Sequence, residues 1–117
     1  MGNTTGNPDQ ETMKCAVLEG PRKPLVIKEY PLPVPKYGEL LVKVDSSAIN
    51  PSDVSFTQGT YNFFDNFPTK CGFEGSGQVI SSGGGFMARR LVGKKIAFIS
   101  NDDKAGAWGQ YHIVSAD

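Results

Sequence analysis

The sequence predicts a mainly β domain, a barrel or sandwich of about six or seven short strands with one short helix. Short runs rich in β-branched and apolar residues recur along the chain, and the best of them, Glu39 to Ile49, alternates residue by residue. The 14 glycines and 8 prolines gather between those runs, where they mark turns. A single segment carries helix-start chemistry, and a glycine cuts it short.

Met13 to Leu18 is mostly apolar and reads as the first strand. Glu19-Gly20-Pro21-Arg22-Lys23-Pro24 is a turn, and Leu25 to Tyr30 returns as a second strand paired with the first. Pro31, Pro33 and Pro35 cannot donate to a ladder at every second residue, so this stretch runs extended along an edge or the surface. In Glu39 to Ile49, Leu41, Lys43 and Asp45 alternate with Val42, Val44 and Ser46, which gives one polar and one apolar face. Such a strand suits an antiparallel sheet or a small barrel wall.

Asn50 is a good N-cap, Pro51 suits the first helical position, and Asp53 sits three residues on, near the positive helix end. Gly59 stops this helix. Thr60 to Pro68 is an aromatic loop with Tyr61, Phe63, Phe64 and Phe67. Phe73 to Ser82 resumes as a strand, and Gly83-Gly84-Gly85 is a tight connection with no helical pattern after it. Lys95 to Ile99 and Trp108 to Val114 are two further strands, joined by the polar turn Asn101-Asp102-Asp103-Lys104.

A chain of 117 residues is one domain's worth, with enough length to bury a core without staples. Twelve basic and 12 acidic side chains leave no overall field to draw in nucleic acid or an anionic membrane. Arg89, Arg90, Lys94 and Lys95 read as a solvated strand-and-turn face. Two cysteines, Cys15 and Cys71, make no disulfide framework and fit no zinc spacing. Without a signal peptide or a spanning apolar run, the expected setting is the cytoplasm. Residues 1–12, with no aliphatic or aromatic side chain beyond Met1, read as a flexible tail, and 13–117 as the domain.

Several motifs then fall in one order. Pro35-Lys36-Tyr37-Gly38-Glu39-Leu40-Leu41-Val42-Lys43-Val44 is followed by Asn50-Pro51-x-Asp53 and by Gly59-x-Tyr61. Next come Gly72-x-Glu74-Gly75-x-Gly77-x-Val79, Gly93-Lys94-Lys95-Ile96-Ala97-Phe98 and Gly106-x-Trp108-Gly109-Gln110-Tyr111. This series resembles the N-terminal GroES-like catalytic domain of the medium-chain dehydrogenase/reductase superfamily, and within it the zinc-independent quinone oxidoreductases of the zeta-crystallin type. The resemblance implies a partly open β-barrel forming one side of a cleft, with a Rossmann domain that binds NADPH on the other. No G-x-G-x-x-G turn follows a strand here, so the Rossmann domain is expected outside this chain.

The resemblance also implies the site. Zinc members carry a Cys near the short helix and a His in a G-H-E motif; this chain has Asn50-Pro51-Ser52-Asp53 and Gly72-Phe73-Glu74 instead. Phenylalanine offers no donor to a metal, so no zinc is expected. By resemblance Asn50 and Tyr61 would lie near the nicotinamide of NADPH, with Asp53, Phe63 and Phe64 around the substrate pocket. Glu74 is expected to be structural, paired with a buried donor, and His112, the sole histidine, to be structural as well. No catalytic acid or base is assigned. The expected substrate is a small quinone or enone, and the intact protein is expected to dimerise through the absent domain. The fragment alone is expected to be inactive. Two other readings share these motifs: a non-catalytic GroES-like binding module, and an enoyl reductase domain of a multienzyme.

Overall fold

The computed structural model describes residues 12–59, 67–100 and 105–116. Its elements are β1 (Thr12–Leu18), β2 (Leu25–Pro31), β3 (Glu39–Ser47), α1 (Pro51–Thr57), β4 (Thr69–Lys70), β5 (Glu74–Ser82), α2 (Phe86–Leu91), β6 (Lys95–Ile99) and β7 (Tyr111–Ser115). They form a three-stranded sheet in the order β2-β1-β4 and a four-stranded sheet in the order β6-β5-β3-β7. Every strand pairing among the described residues is antiparallel. An isolated bridge between Cys15 and Gly109 links the chain after β6 to β1 without closing the two sheets into a full barrel. The domain is thus mainly β, as its short alternating strands and frequent turns require.

The β1–β2 hairpin forms as expected, in a register that runs from Thr12 opposite Pro31 to Leu18 opposite Leu25. Alternation along β1 buries Met13, Cys15 and Val17. β3 ends at Ser47 rather than Ile49, because the chain must turn there to enter α1. Its polar face is also shorter than the pattern implies. Leu40, Leu41 and Val42 are all buried, since a register shift between Leu41 and Val42 breaks strict alternation where the strand is paired on both sides. β5 starts at Glu74, one residue later than expected, and β7 at Tyr111. The Trp108 segment turns sharply against the Gly72 backbone instead of continuing as strand.

A second short helix, α2, follows the glycine triplet, where the sequence pattern indicates only a connection. Its N-cap is Gly85 with φ 102°, which offers no capping side chain, and Phe86 and Met87 point outward. Arg89 and Arg90 therefore sit on helix rather than on a strand-and-turn face. The triplet serves backbone packing. A Cβ at Gly83 would lie 2.0 Å from the Lys36 carbonyl oxygen, and the Gly38 N–H donates to the Gly84 carbonyl.

Two apolar clusters form among the described residues. Leu40, Val42, Val79, Phe98 and Ala107 pack within the four-stranded sheet, with Ala88 of α2 against them. Leu18, Phe56, Cys71 and Phe73 pack beneath α1, joined by Phe67 and Trp108. Ala107 and Trp108 are neighbours in sequence, so the Gly106–Gly109 turn joins the two clusters and sits directly under the entry to α1.

Candidate functional site

The site is built where β3 passes into α1. Ala48, the first residue after β3, has both backbone groups held: its N–H donates to the Glu74 carbonyl at 3.1 Å, and its carbonyl accepts from Trp108 Nε1 at 3.0 Å. The Ser47 hydroxyl donates to the Ala107 carbonyl. The chain therefore reaches Asn50 along a fixed path.

Asn50 caps α1 in extended conformation, and Pro51 opens the helix as expected. The Asn50 N–H donates to Asp53 Oδ2 at 2.8 Å, and the Asp53 N–H donates to the Asn50 carbonyl at 2.9 Å. Asp53 is 1% exposed, and its other carboxylate oxygen, Oδ1, has no hydrogen-bond partner among the described residues. The Asn50 side chain also reaches beyond the cap. Its Nδ2 donates to Glu74 Oε1 at 2.9 Å, across to the first residue of β5. Glu74 thus has a hydrogen-bond partner, as expected, but the donor is Asn50 itself and the carboxylate is exposed.

The glycines of the Gly72-x-Glu74-Gly75-x-Gly77 motif make room for this junction. Gly72 has φ +94°, and a Cβ there would lie 2.6 Å from the backbone nitrogen and Cδ1 of Trp108. At Gly77 a Cβ would lie 2.1 Å from the Lys43 carbonyl oxygen. Phe73, between Gly72 and Glu74, is buried and meets Phe56 edge to face, with ring centroids 5.7 Å apart. That position contributes hydrocarbon to the core. Among the described residues no three His, Cys, Asp or Glu side chains group as metal ligands.

The two cysteines and the histidine are held inert. Burial, reinforced by the neighbouring Cys15 and Asp53, pushes the Cys71 thiol up to about 12. Burial also raises the Cys15 thiol. Neither supplies a thiolate near neutral pH. His112 stacks on Phe98 at 5.1 Å, with Nε2 at 2.6 Å from Ser100 Oγ. Burial, aided by the Lys70 charge, lowers its pKa to about 4. It is a packed, neutral histidine, in keeping with the structural role expected of it.

Asn50 and Asp53 are therefore brought together, and Glu74 joins them. Tyr61, Phe63 and Phe64 lie outside the described residues. Trp108, which the sequence reads as the start of a strand, is the residue that anchors Ala48; its signal is the motif Gly106-x-Trp108-Gly109, matched to the open space at Gly72. A separate open cleft of about 490 Å³ lies along the seam between the sheets, lined by Cys15, Ile27, Val44, Ser47 and Trp108 among others. Its lining includes none of Asn50, Asp53 or Glu74. No helix among the described residues is long and apolar enough to cross a membrane.

Residues 36–117 match the family model of the alcohol dehydrogenase GroES-like domain. Over 89 residues the chain is 34% identical to prostaglandin reductase-3 of Mus musculus, covering 76% of this chain and 22% of that protein. The quinone oxidoreductase from Coxiella burnetii superposes with a TM-score of 0.73 at 26% identity, covering 89% of this chain and 35% of that one. A mycobacterial protein solved with NADPH gives a TM-score of 0.70 at 26% identity, covering 89% of this chain and 30% of that one. The chain spans about a fifth of the curated relatives' length and about a third of these solved chains. With the motif order, the two antiparallel sheets and the family match in agreement, the chain belongs to the alcohol dehydrogenase GroES-like domain family.

Proposed function

We propose that this chain is the substrate-side domain of a zinc-independent, NADPH-dependent oxidoreductase that reduces quinones or enones. The observation that carries the reading is Asn50, fixed at its backbone by Asp53 and at its side chain by Glu74. Phe73, a core residue, stands at the position where the zinc members of the resemblance carry a histidine. Relatives named for prostaglandin and quinone reduction, and one solved with NADPH, support the same reading.

NADPH, when bound, supplies the hydride. The donor set fits the nicotinamide end of that molecule. Asn50 Nδ2 carries two hydrogens, and Glu74 takes one of them. A neutral N–H donor suits a carboxamide or quinone oxygen and does not titrate near neutral pH. Tyr61 completes the cofactor side in this proposal, and Asp53, Phe63 and Phe64 the substrate side. Asp53 holds the loop, its Oδ2 accepting from the Asn50 N–H. Positioning, rather than metal charge, then does the work of the site. A separate dinucleotide-binding domain holds the rest of the cofactor, so the 117-residue chain alone oxidises no NADPH.

The test is NADPH oxidation by the full-length enzyme with 1,4-naphthoquinone and with a simple enone, each with and without EDTA. Turnover of either substrate, indifferent to EDTA, is the expected result. Turnover abolished by the chelator defeats the zinc-independent reading. Failure to reduce either substrate defeats the reductase reading.

A further inference from the structure

Asn50 and Glu74 lie 24 residues apart in sequence, and each is also held by backbone hydrogen bonds of its own segment. Asn50 is fixed by the Asp53 carboxylate on its N–H and by the Asp53 N–H on its carbonyl. Glu74 opens β5 and pairs with Ile99 of β6, while its carbonyl accepts from Ala48. The 2.9 Å contact between the side chains thus spans two fixed backbones.

The chemistry of the pair is asymmetric. An ionised carboxylate only accepts, so it can be satisfied only by the NH2 end of the Asn50 amide. A glutamine at position 74 would accept either end. The bond is exposed, and exposed polar pairs add little to stability. Its distinguishing effect is orientation: with one N–H spent on Glu74, the amide plane is set and the second N–H diverges from Glu74.

We infer that Glu74 is a positioning residue, which captures one N–H of Asn50 and thereby aims the other at a carbonyl oxygen of the bound ligand. This rests on the reductase reading proposed above. The carbonyl belongs either to the nicotinamide carboxamide or to the quinone, and the two sources are told apart by which constant moves.

The experiment uses the full-length enzyme, with NADPH and 1,4-naphthoquinone as probes. It compares wild type with Glu74→Ala, Glu74→Gln, Asn50→Asp, and the double variant that combines Asn50→Asp with Glu74→Gln. Losing a well-aimed neutral hydrogen bond weakens ligand affinity about three- to tenfold. Glu74→Ala is expected to raise the NADPH dissociation constant by that factor if the carboxamide is the target, or the quinone KM if the quinone is. Glu74→Gln has a smaller effect in the same direction. The thermal midpoints of both stay close to wild type.

The double variant separates aiming from bracing. Asn50→Asp alone sets two carboxylates against each other and lowers both the thermal midpoint and the affinity. Adding Glu74→Gln restores a hydrogen bond of reversed polarity, so the midpoint recovers. Affinity does not recover, because a carboxylate at position 50 has no N–H left to aim. Affinity that recovers along with the midpoint overturns the inference, since Glu74 would then be a brace alone. So do unchanged NADPH and quinone constants in Glu74→Ala. Wild-type enzyme that neither binds NADPH nor reduces the quinone overturns the reductase reading, and this inference with it.

Discussion

The indole Nε1 of Trp108 donates to the Ala48 carbonyl at 3.0 Å, and the same tryptophan occupies the space left open by Gly72. The contact ties the Gly106–Gly109 turn to the path that leads into α1. Trp108→Phe removes the indole N–H and part of the ring volume, leaving the Ala48 carbonyl without its donor and a small void, a loss of about 1–3 kcal/mol. Gly72→Ala is worse. The new Cβ would fall 2.6 Å from the Trp108 backbone nitrogen, at a φ of +94° that side chains rarely adopt. Strain and overpacking together cost about 2–4 kcal/mol. Urea unfolding of both variants checks the order; equal stability of Gly72→Ala and wild type would refute it.

What the sequence disclosed divides along the range of the interaction. The start of α1 is legible because Asn50, Pro51 and Asp53 act on one another within a single turn. The β1–β2 hairpin is legible for the same reason, since turn and strands are contiguous. α2 is hidden because Gly85 gives no cap and Phe86 and Met87 face outward, leaving no periodic apolar stripe. Trp108 reads as strand because its neighbours are apolar, yet its place is set by Gly72, 36 positions earlier, a relation no local pattern encodes. At the site, Asn50 and Asp53 can be named from their spacing, whereas the Glu74 partner emerges only when β3 and β5 are laid side by side.

Glycines that look alike in the sequence are predicted to differ sharply in tolerance. Gly77→Ala would place a Cβ 2.1 Å from the Lys43 carbonyl oxygen and 2.9 Å from the Val44 Cα. Both obstacles are backbone, so β3 and β5 must separate at the centre of their ladder. Gly38→Ala also puts a side chain at positive φ, +80°, but nothing lies within 4 Å. It should cost only the conformational term, about 1–2 kcal/mol. The expected outcome is a folded Gly38→Ala chain and a Gly77→Ala chain that has lost its cooperative unfolding transition by circular dichroism. A cooperative Gly77→Ala transition near the wild-type midpoint would contradict the tight β3–β5 contact.

The two cysteines should be silent in the native state. Cys15 and Cys71 are each 1% exposed, and burial raises both thiols, Cys71 to about 12. In an unfolded chain each returns to about 8.5. A disulfide reagent at about pH 8 should therefore modify neither thiol quickly in native buffer and both in guanidinium. Rapid native labelling of Cys71 would show that the cluster beneath α1 opens readily, and of Cys15 that the buried face of β1 does.

His112 gives stability a pH dependence whose sign is fixed by its burial. The ring stacks on Phe98, Nε2 contacts Ser100 Oγ, and the pKa is lowered from 6.5 to about 4. Above about pH 6.5 the ring is neutral in both the folded and the unfolded chain, and it contributes no slope. Between about 6.5 and 4 the unfolded chain binds a proton that the folded chain refuses, so stability falls as pH falls. The slope approaches about 1.4 kcal/mol per pH unit within that window, and no further loss from this residue accrues below about pH 4. His112→Gln removes the titration while keeping a polar side chain near Ser100. Its baseline stability should be lower through lost stacking, but its decline from about pH 7 to about pH 5 should be shallower than that of wild type. Parallel stability profiles for the two chains across that interval would show that His112 is protonated as readily in the fold as outside it.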